Sequence, residues 1–406
     1  MILGTGIDII EVDRVAKAAG KEGFMHRIFT DAERRRFAKY NNDPAHIAGA
    51  YSRRICRKGG GIQGAGYRHR RCGVEGDRDT SPPKRTALCK ALRKRSKADG
   101  GDGRGNAAYK HIPYQSGGCR PGNTGGQMLT LDHEYIRNIV GTRPKDSHKG
   151  SNGRGLILAG SEGLTGAAVM SACAAQRGGI GLLRVLCPDS VRPAFYSLPE
   201  AMVLPCGKSW AECDQEKLSE LIVWADCICT GPGMGRECAE AVKAVLVSAK
   251  PIIVDADGLN AIAKENMQHL LHDGAVITPH PGEMSRLTGL SVEKITADPA
   301  NIAAEYAKKW NCTVLLKGAQ SHIAAYDGRI ARNVSGNPGL AKGGSGDVLS
   351  GIILALLGQG LTPYDAACAG AYILGASADM AIDILRERML MSRDVTEAIE
   401  KTLESF

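Results

Sequence analysis

The residues best equipped for chemistry lie between positions 336 and 351, in the run GNPGLAKGGSGDVLSG. A glycine-rich turn, Gly343-Gly344-Ser345-Gly346, is followed at once by Asp347 and then by the apolar residues Val348, Leu349, Ile352, Ile353, Leu354, Leu356 and Leu357. Their spacing predicts a helix with Asp347 at or just inside its start and an end near Gly358 and Gly360. The first amides of such a helix lack intrahelical partners and carry a charge of roughly +0.5, so Gly344, Ser345 and Gly346 would form a seat for an anion. A carboxylate beside a phosphate seat is electrostatically costly unless it has a task. Taking the proton from a hydroxyl that is being phosphorylated is such a task, and it makes Asp347 the candidate catalytic base. Taken alone, GGSGD fits a glycine-rich N-cap with an acid in the first turn equally well.

From Met128 onward, alternating strand and helix patterns would position these residues. Strands are predicted at 155–159, 180–186, 201–204, 224–229, 251–254, 275–278, 313–316, 322–325 and 330–334, the last two joined by the hairpin turn Tyr326-Asp327-Gly328. Helices are predicted within 128–144 and at 165–177, 238–248, 302–310, 348–357, 363–385 and 395–403. The pattern implies an α/β fold with a mostly parallel sheet and helices on both faces, in which ligands gather at the C-terminal strand ends. Polar or glycine-rich segments fall at those ends: Ala159-Gly160-Ser161, Gly231 to Gly235, Asp255 to Asp257, Thr278 to Glu283, and Lys317-Gly318. Together they imply one composite cleft.

Each segment also has a plain reading. The small residues of HKGSNGRGLILAGSEGLTGAA let a substrate lie against backbone, or let a helix pack closely. GPGMG is a packing turn more readily than a site. Asp255 reads as a helix cap, while Asn260 could hydrogen-bond a ligand. His280 lies between two prolines in a stiff loop, which favours ligand contact. Glu283 either helps to hold a magnesium ion through water or is a first-turn carboxylate. Lys317-Gly318-Ala319-Gln320-Ser321 would present backbone and a cation to a nucleotide.

At 406 residues, 43% hydrophobic and 23% charged, the chain has the composition of a globular protein with two or three domains. No apolar run reaches the roughly 18 residues needed to span a membrane, and the N-terminus lacks a basic signal-peptide region. The 13 cysteines have no framework spacing, which points to reduced thiols in the cytoplasm. Residues 52–127 hold 18 Lys and Arg against 5 Asp and Glu, an excess of 13 in a chain whose net charge is +9. The same segment has 16 glycines and only six Ile, Leu, Val, Met or Phe, too few to offset ordering entropy. Without interleaved aromatics it argues against a nucleic-acid arm. A disordered linker is one reading of it.

Two resemblances sharpen these expectations. HKGSNGRG, LAGSEGLTGAA, GPGMG, DADGLN, TPHPGE, LLKGAQS and GNPGLAKGGSGDVLSGI, in that order between His148 and about Met380, resemble the ADP-dependent NAD(P)H-hydrate dehydratase family, of ribokinase-like fold. The resemblance implies a domain over 128–406 that uses Mg2+ and ADP or ATP to dehydrate (S)-NAD(P)H-hydrate to NAD(P)H. It implies that Ala168, Gly235, His280 and Asp347 contact the substrate, and that Lys317 to Ser321 and Gly346 hold the adenine nucleotide. The alternative is a ribokinase-like small-molecule kinase that releases a stable phosphorylated product. In residues 1–51, GTGIDIIEVDRV, FTDAERRRF and HIAGAY resemble the start of holo-acyl-carrier-protein synthase, with Asp8 matching its first metal-binding acid. SRRICRKGG replaces the stretch that should carry the second acid, so residues 52–127 read as an out-of-frame translation of that domain. The oligomeric state is left open.

Overall fold

Side chains two apart along a strand share a face, and in this chain that period feeds two separate cores on the two sides of one sheet. Ile157, Cys229, Ile253, Val276 and Leu315 face one core. Their neighbours Leu156, Ile228, Ile252, Ile277 and Val314 face the other. Burial on both faces explains why these strands read as continuous apolar runs rather than as alternating ones. The computed structural model describes residues 128–382 and 386–406, which lie within one compact unit, Asn106–Phe406. The readings of residues 1–127, Asp8 and the out-of-frame segment included, lie outside the described residues.

In chain order the strands are β1 Leu129–Thr130, β2 Arg154–Leu158, β3 Leu182–Cys187, β4 Met202–Pro205, β5 Cys227–Thr230, β6 Ile252–Val254, β7 Ala275–Ile277, β8 Thr313–Leu316, β9 Ser321–Ala324 and β10 Ile330–Asn333. They form one sheet in the order β1-β10-β9-β8-β7-β6-β5-β2-β3-β4. Only β9 runs antiparallel to its neighbours. The chain leaves β2 for β3 and β4 on one side, then returns to lay β5 to β8 on the other. The strand order therefore reverses between β2 and β5, and ligands of open α/β sheets bind in the crevice at such a point.

The helices are α1 His133–Val140, α2 Thr165–Arg177, α3 Gln215–Trp224, α4 Ala239–Leu246, α5 Ala256–Lys264, α6 Pro281–Thr288, α7 Val292–Ala297, α8 Pro299–Trp310, α9 Ser345–Gly358, α10 Pro363–Ile382 and α11 Ser392–Glu404. α1, α2, α9, α10 and α11 supply the first core, and α3 to α8 the second. Every residue of α9 from Val348 to Leu357 is buried. A Cβ on Gly351 would lie 2.2 Å from the Ser171 carbonyl oxygen, so α9 and α2 meet backbone to backbone there. None of the helices among the described residues is long and apolar enough to cross a membrane.

Some boundaries differ from expectation. Trp224, expected to open a strand, closes α3 instead. Leu218, Leu221 and Ile222 give that helix a buried stripe, and Asp214 caps it by accepting from the Glu216 and Lys217 amides. The two-residue β1 follows no periodicity and exists by pairing with β10.

Candidate active site

The first turn of α9 is the centre of the site. Its N-cap, Gly344, has φ 99°, and a Cβ there would lie 2.5 Å from Met170 Sδ and 2.8 Å from Ser392 Oγ. Glycine is required on both counts. Behind the turn, Ser392 Oγ donates to the Gly343 carbonyl at 3.0 Å. Asp379 on α10 accepts from the Gly336 amide at 2.8 Å and from Asn337 Nδ2 at 2.9 Å. The loop is thus gripped from the core side. In front of Gly343 a Cβ would meet nothing within 4 Å, so the turn opens outward. The amides of Gly346 and Asp347, in the first turn, have no acceptor within the helix.

Asp347 is half-buried, and no hydrogen bond or ion pair to its carboxylate occurs among the described residues. Burial, then the charge of Asp255, push its carboxyl up to about 7; Lys317 pulls it down and Asp257 adds to the rise. A carboxylate with that proton affinity suits a general base at neutral pH.

Beneath the turn, Lys317 at the end of β8 donates to Asp255 Oδ1 at 2.7 Å and lies 3.8 Å from Glu283 Oε2. Burial works against the Lys317 charge, but Asp255 and Glu283 outweigh it and hold the ammonium above its ordinary value. Asp255, expected as a helix cap, occupies the N-cap position of α5 without a capping hydrogen bond. Its second oxygen accepts from Ser350 Oγ at 3.0 Å.

Glu283 is mostly buried and closes a capping box with His280, its Oε2 accepting from the His280 amide at 2.9 Å. His280 Nδ1 accepts from the Gly282 amide at 3.0 Å, which leaves Nε2 on an exposed ring 3.5 Å from Glu283 Oε1. One loop therefore ties His280 to Glu283 and, through it, to Lys317, Asp255 and the base of α9.

The Gly231 to Gly235 loop divides between packing and site. Gly231, at φ 116°, would bring a Cβ within 1.8 Å of the Asp255 carbonyl oxygen, which is a packing demand. Gly235 instead donates its amide to Asp257 Oδ2 at 2.8 Å and faces Ser161. Asn260 Nδ2 reaches Asp257 Oδ1 at 3.3 Å, and its Oδ1 accepts from Arg286 Nε at 2.8 Å, so Asn260 braces Asp257. Gly318, Ala319 and Gln320 form the exposed turn between β8 and β9, with Ser321 half-buried after it. Ala168 is the exception among the expected contacts. It is 0% exposed, packed in the core against Gly160, and offers a ligand no surface.

Sequence reasoning passed over Ser350, Met170 and Trp210. Trp210 is buried, and its Nε1 donates to the Gly160 carbonyl at 2.8 Å, fixing the loop after β2. No local pattern signals that contact, because it spans fifty positions. Among the described residues no group of three or more His, Cys, Asp or Glu could hold a metal ion by itself.

A family model described as NAD(P)H-hydrate dehydratase matches residues 155–401. Over 291 residues the chain is 40% identical to a bifunctional NAD(P)H-hydrate repair enzyme of Moorella thermoacetica, a match covering 68% of this chain and 54% of that protein. Over 277 residues it is 34% identical to the ADP-dependent (S)-NAD(P)H-hydrate dehydratase of Bacillus subtilis, covering 67% of this chain and 97% of that one. The chain thus spans about half the length of the bifunctional relatives it matches. The crystal structure of a Bacillus subtilis ADP/ATP-dependent NAD(P)H-hydrate dehydratase, co-crystallised with ATP and Mg2+, superposes with a TM-score of 0.60 at 30% identity, covering 68% of this chain and 98% of that one. A ribokinase-like superfamily protein of Enterococcus faecalis superposes with a TM-score of 0.62 at 26% identity, covering 73% of this chain and 99% of its own.

Proposed function

Since the chain belongs to the NAD(P)H-hydrate dehydratase family, we propose that residues 128–406 restore NADH and NADPH from their (S)-hydrates at the expense of ADP or ATP. The observation that carries this reading is the placement of Asp347: half-buried, without a hydrogen-bonded partner, and in the first turn of α9 beside amides that lack intrahelical acceptors, with burial pushing its carboxyl up to about 7.

The hydroxyl on the hydrated nicotinamide ring is a poor nucleophile until it loses its proton. Asp347 takes that proton as the oxygen attacks the terminal phosphoryl group of the nucleotide. The bond to the leaving phosphate chain breaks, giving AMP when ADP is used. The amides of Gly344 and Gly346 stabilise the charge on the transferring group, whereas the Ser345 amide, expected to join them, donates to the Lys342 carbonyl at 3.5 Å. The ring carbon–oxygen bond then breaks, phosphate leaves with the electron pair, and a proton departs from the adjacent carbon. The exposed turn from Gly318 to Gln320 holds the nucleotide, while His280 Nε2 and Gly235 orient the substrate. Mg2+ usually keeps several waters and binds through phosphates with one or two carboxylates; as no group of three or more His, Cys, Asp or Glu among the described residues could hold it, an ion here would rest mainly on the nucleotide's phosphates. Glu283 would hold one of its waters, and the ion would neutralise phosphate charge.

The test is to supply hydrated NADH with ADP, and separately with ATP, and to follow reduced-nicotinamide absorbance and free phosphate. Recovery of absorbance with stoichiometric phosphate is expected. A phosphate ester that accumulates without recovered absorbance would replace this reading with a small-molecule kinase.

A further inference from the structure

Asp255 ends β6 and stands where a helix cap should be, yet its carboxylate is spent elsewhere. It is 1% exposed, and Lys317 Nζ and Ser350 Oγ take its two oxygens. A Cβ built on Gly346 would lie 3.3 Å from Asp255 Oδ2 and 3.5 Å from Lys317 Nζ. The pair therefore lies directly beneath the first turn of α9, one residue from Asp347. An aspartate at an N-cap ordinarily accepts an amide of the next turn, which stabilises the helix start. Giving that up implies a different role.

We propose that Asp255 is a positioning residue, which anchors Lys317 beneath Gly346 and so prevents the ammonium from pairing with Asp347, leaving that carboxylate free to accept a proton. The proposal rests on Asp347 being the base.

The charged and titratable groups near Asp347 come from several elements. β6 brings Asp255, β8 brings Lys317, α5 brings Asp257, and β5 brings the Cys229 thiol, itself raised by burial and by Asp255 and Asp347. α6 brings Glu283 to Lys317. α2 and α11 bring Met170 and Ser392 to the turn, neither of them charged. Lys317 is thus the cation in this set, and its choice of partner decides the state of Asp347. Neutralising Asp255 ends one repulsion on Asp347 and also releases Lys317 toward it. Both changes favour the ionised carboxylate, so the two effects share a sign.

The full chain can be labelled with 13C-aspartate and the Asp347 carboxyl carbon followed against pH without substrate, its signal assigned by its loss in Asp347→Asn. In Asp255→Asn the titration midpoint should fall from about 7 by roughly one unit or more. In Lys317→Gln, which deletes the cation and keeps the Asp255 charge, it should rise. Opposite shifts of this kind are not produced by a general loosening of the fold. A midpoint unmoved or raised in Asp255→Asn overturns the proposal. Should that variant fail to fold, an unmoved or lowered midpoint in Lys317→Gln overturns it instead. The acid limb of the turnover–pH profile should track the midpoint. If the midpoint moves and the limb does not, the anchoring is upheld and the assignment of Asp347 as base is lost, so the two failures are distinguishable.

Discussion

Two ion pairs of equal length stand at opposite ends of the same sheet. Lys317 and Asp255 meet at 2.7 Å where β8 and β6 end, and Arg154 and Asp226 meet at 2.7 Å where β2 and β5 begin. Distance alone would rank them together. Their surroundings do not: the side chains are 22% and 2% exposed in the first pair, 41% and 39% in the second. Arg154 and Asp226 satisfy each other, with the Trp224 ring 5.9 Å from the guanidinium. Around Lys317, by contrast, Asp255, Glu283 and Asp347 all act on one ammonium. Charge that is left unbalanced in a partly buried place is costly unless a ligand or a proton completes it. What sets the Lys317 end of the sheet apart is thus its excess of acid, not the ion pair itself.

Removing the excess acid should have the largest effect. Asp347→Asn is expected to lower turnover by about 10²- to 10⁴-fold while nucleotide binding persists. The same change should stabilise the fold, in a pH-dependent way. The folded carboxyl titrates at about 7, against roughly 4 in an unfolded chain. Between those values unfolded chains release the proton and folded chains keep it, so the wild type loses stability as pH rises through that window. The variant has nothing to titrate there. Its advantage in urea denaturation should be absent below about pH 4, grow to at most about 4 kcal/mol at pH 7, and then level off. A variant equally inactive but with no larger advantage over the wild type at pH 8 than at pH 4 would break the contrast between the two ends.

Truncating the anchor is next. Asp255→Ala leaves Lys317 without its nearest partner in a largely buried place, and a loss of roughly 3 kcal/mol is expected from the urea midpoint. Gly351→Ala tests whether the apolar body of α9 holds its charged tip. The added methyl collides with the Ser171 carbonyl and lies 2.7 Å from Ala174 Cβ. Forcing α9 off α2 should cost about 2 kcal/mol. Turnover per folded molecule should fall as well, because the first turn moves with the helix.

Much of this arrangement can be read along the chain, and the limit of what can be read is physical. The continuous apolar runs of the strands and the all-apolar stretch after Asp347 announce the doubly covered sheet and its central helix, because burial on both faces leaves no polar alternation. The strand ends announce the cleft, since polar residues there have no core to enter. What a sequence cannot register is which partner a polar side chain selects across the fold. Asp255 looks like a cap because caps are local, yet Lys317 and Ser350 lie 62 and 95 positions away. Trp224 looks like a strand opener because only two residues, Ala225 and Asp226, separate the end of α3 from β5. Ala168 is expected at the ligand only because the family resemblance implies it, and no local pattern shows that its side chain is spent on packing against Gly160.

The smallest effect belongs to the other end of the sheet, and it separates charge from geometry. Asp226 accepts from the Arg154 guanidinium at Nε and Nη2, and its Oδ2 also accepts the Arg154 backbone amide at 3.0 Å. That last bond pins the first residue of β2 beside β5. Asp226→Asn removes the charge and keeps an oxygen acceptor, so it should cost less than about 1 kcal/mol, and raising salt should shrink the difference. Asp226→Ala removes the amide's partner too and should cost about 1 kcal/mol more, a part that salt leaves untouched. Neither change should move the pH dependence of turnover, because no titrating base stands within reach. A shift there as large as that expected for Asp255→Asn would mean that the two pairs differ less than their surroundings imply.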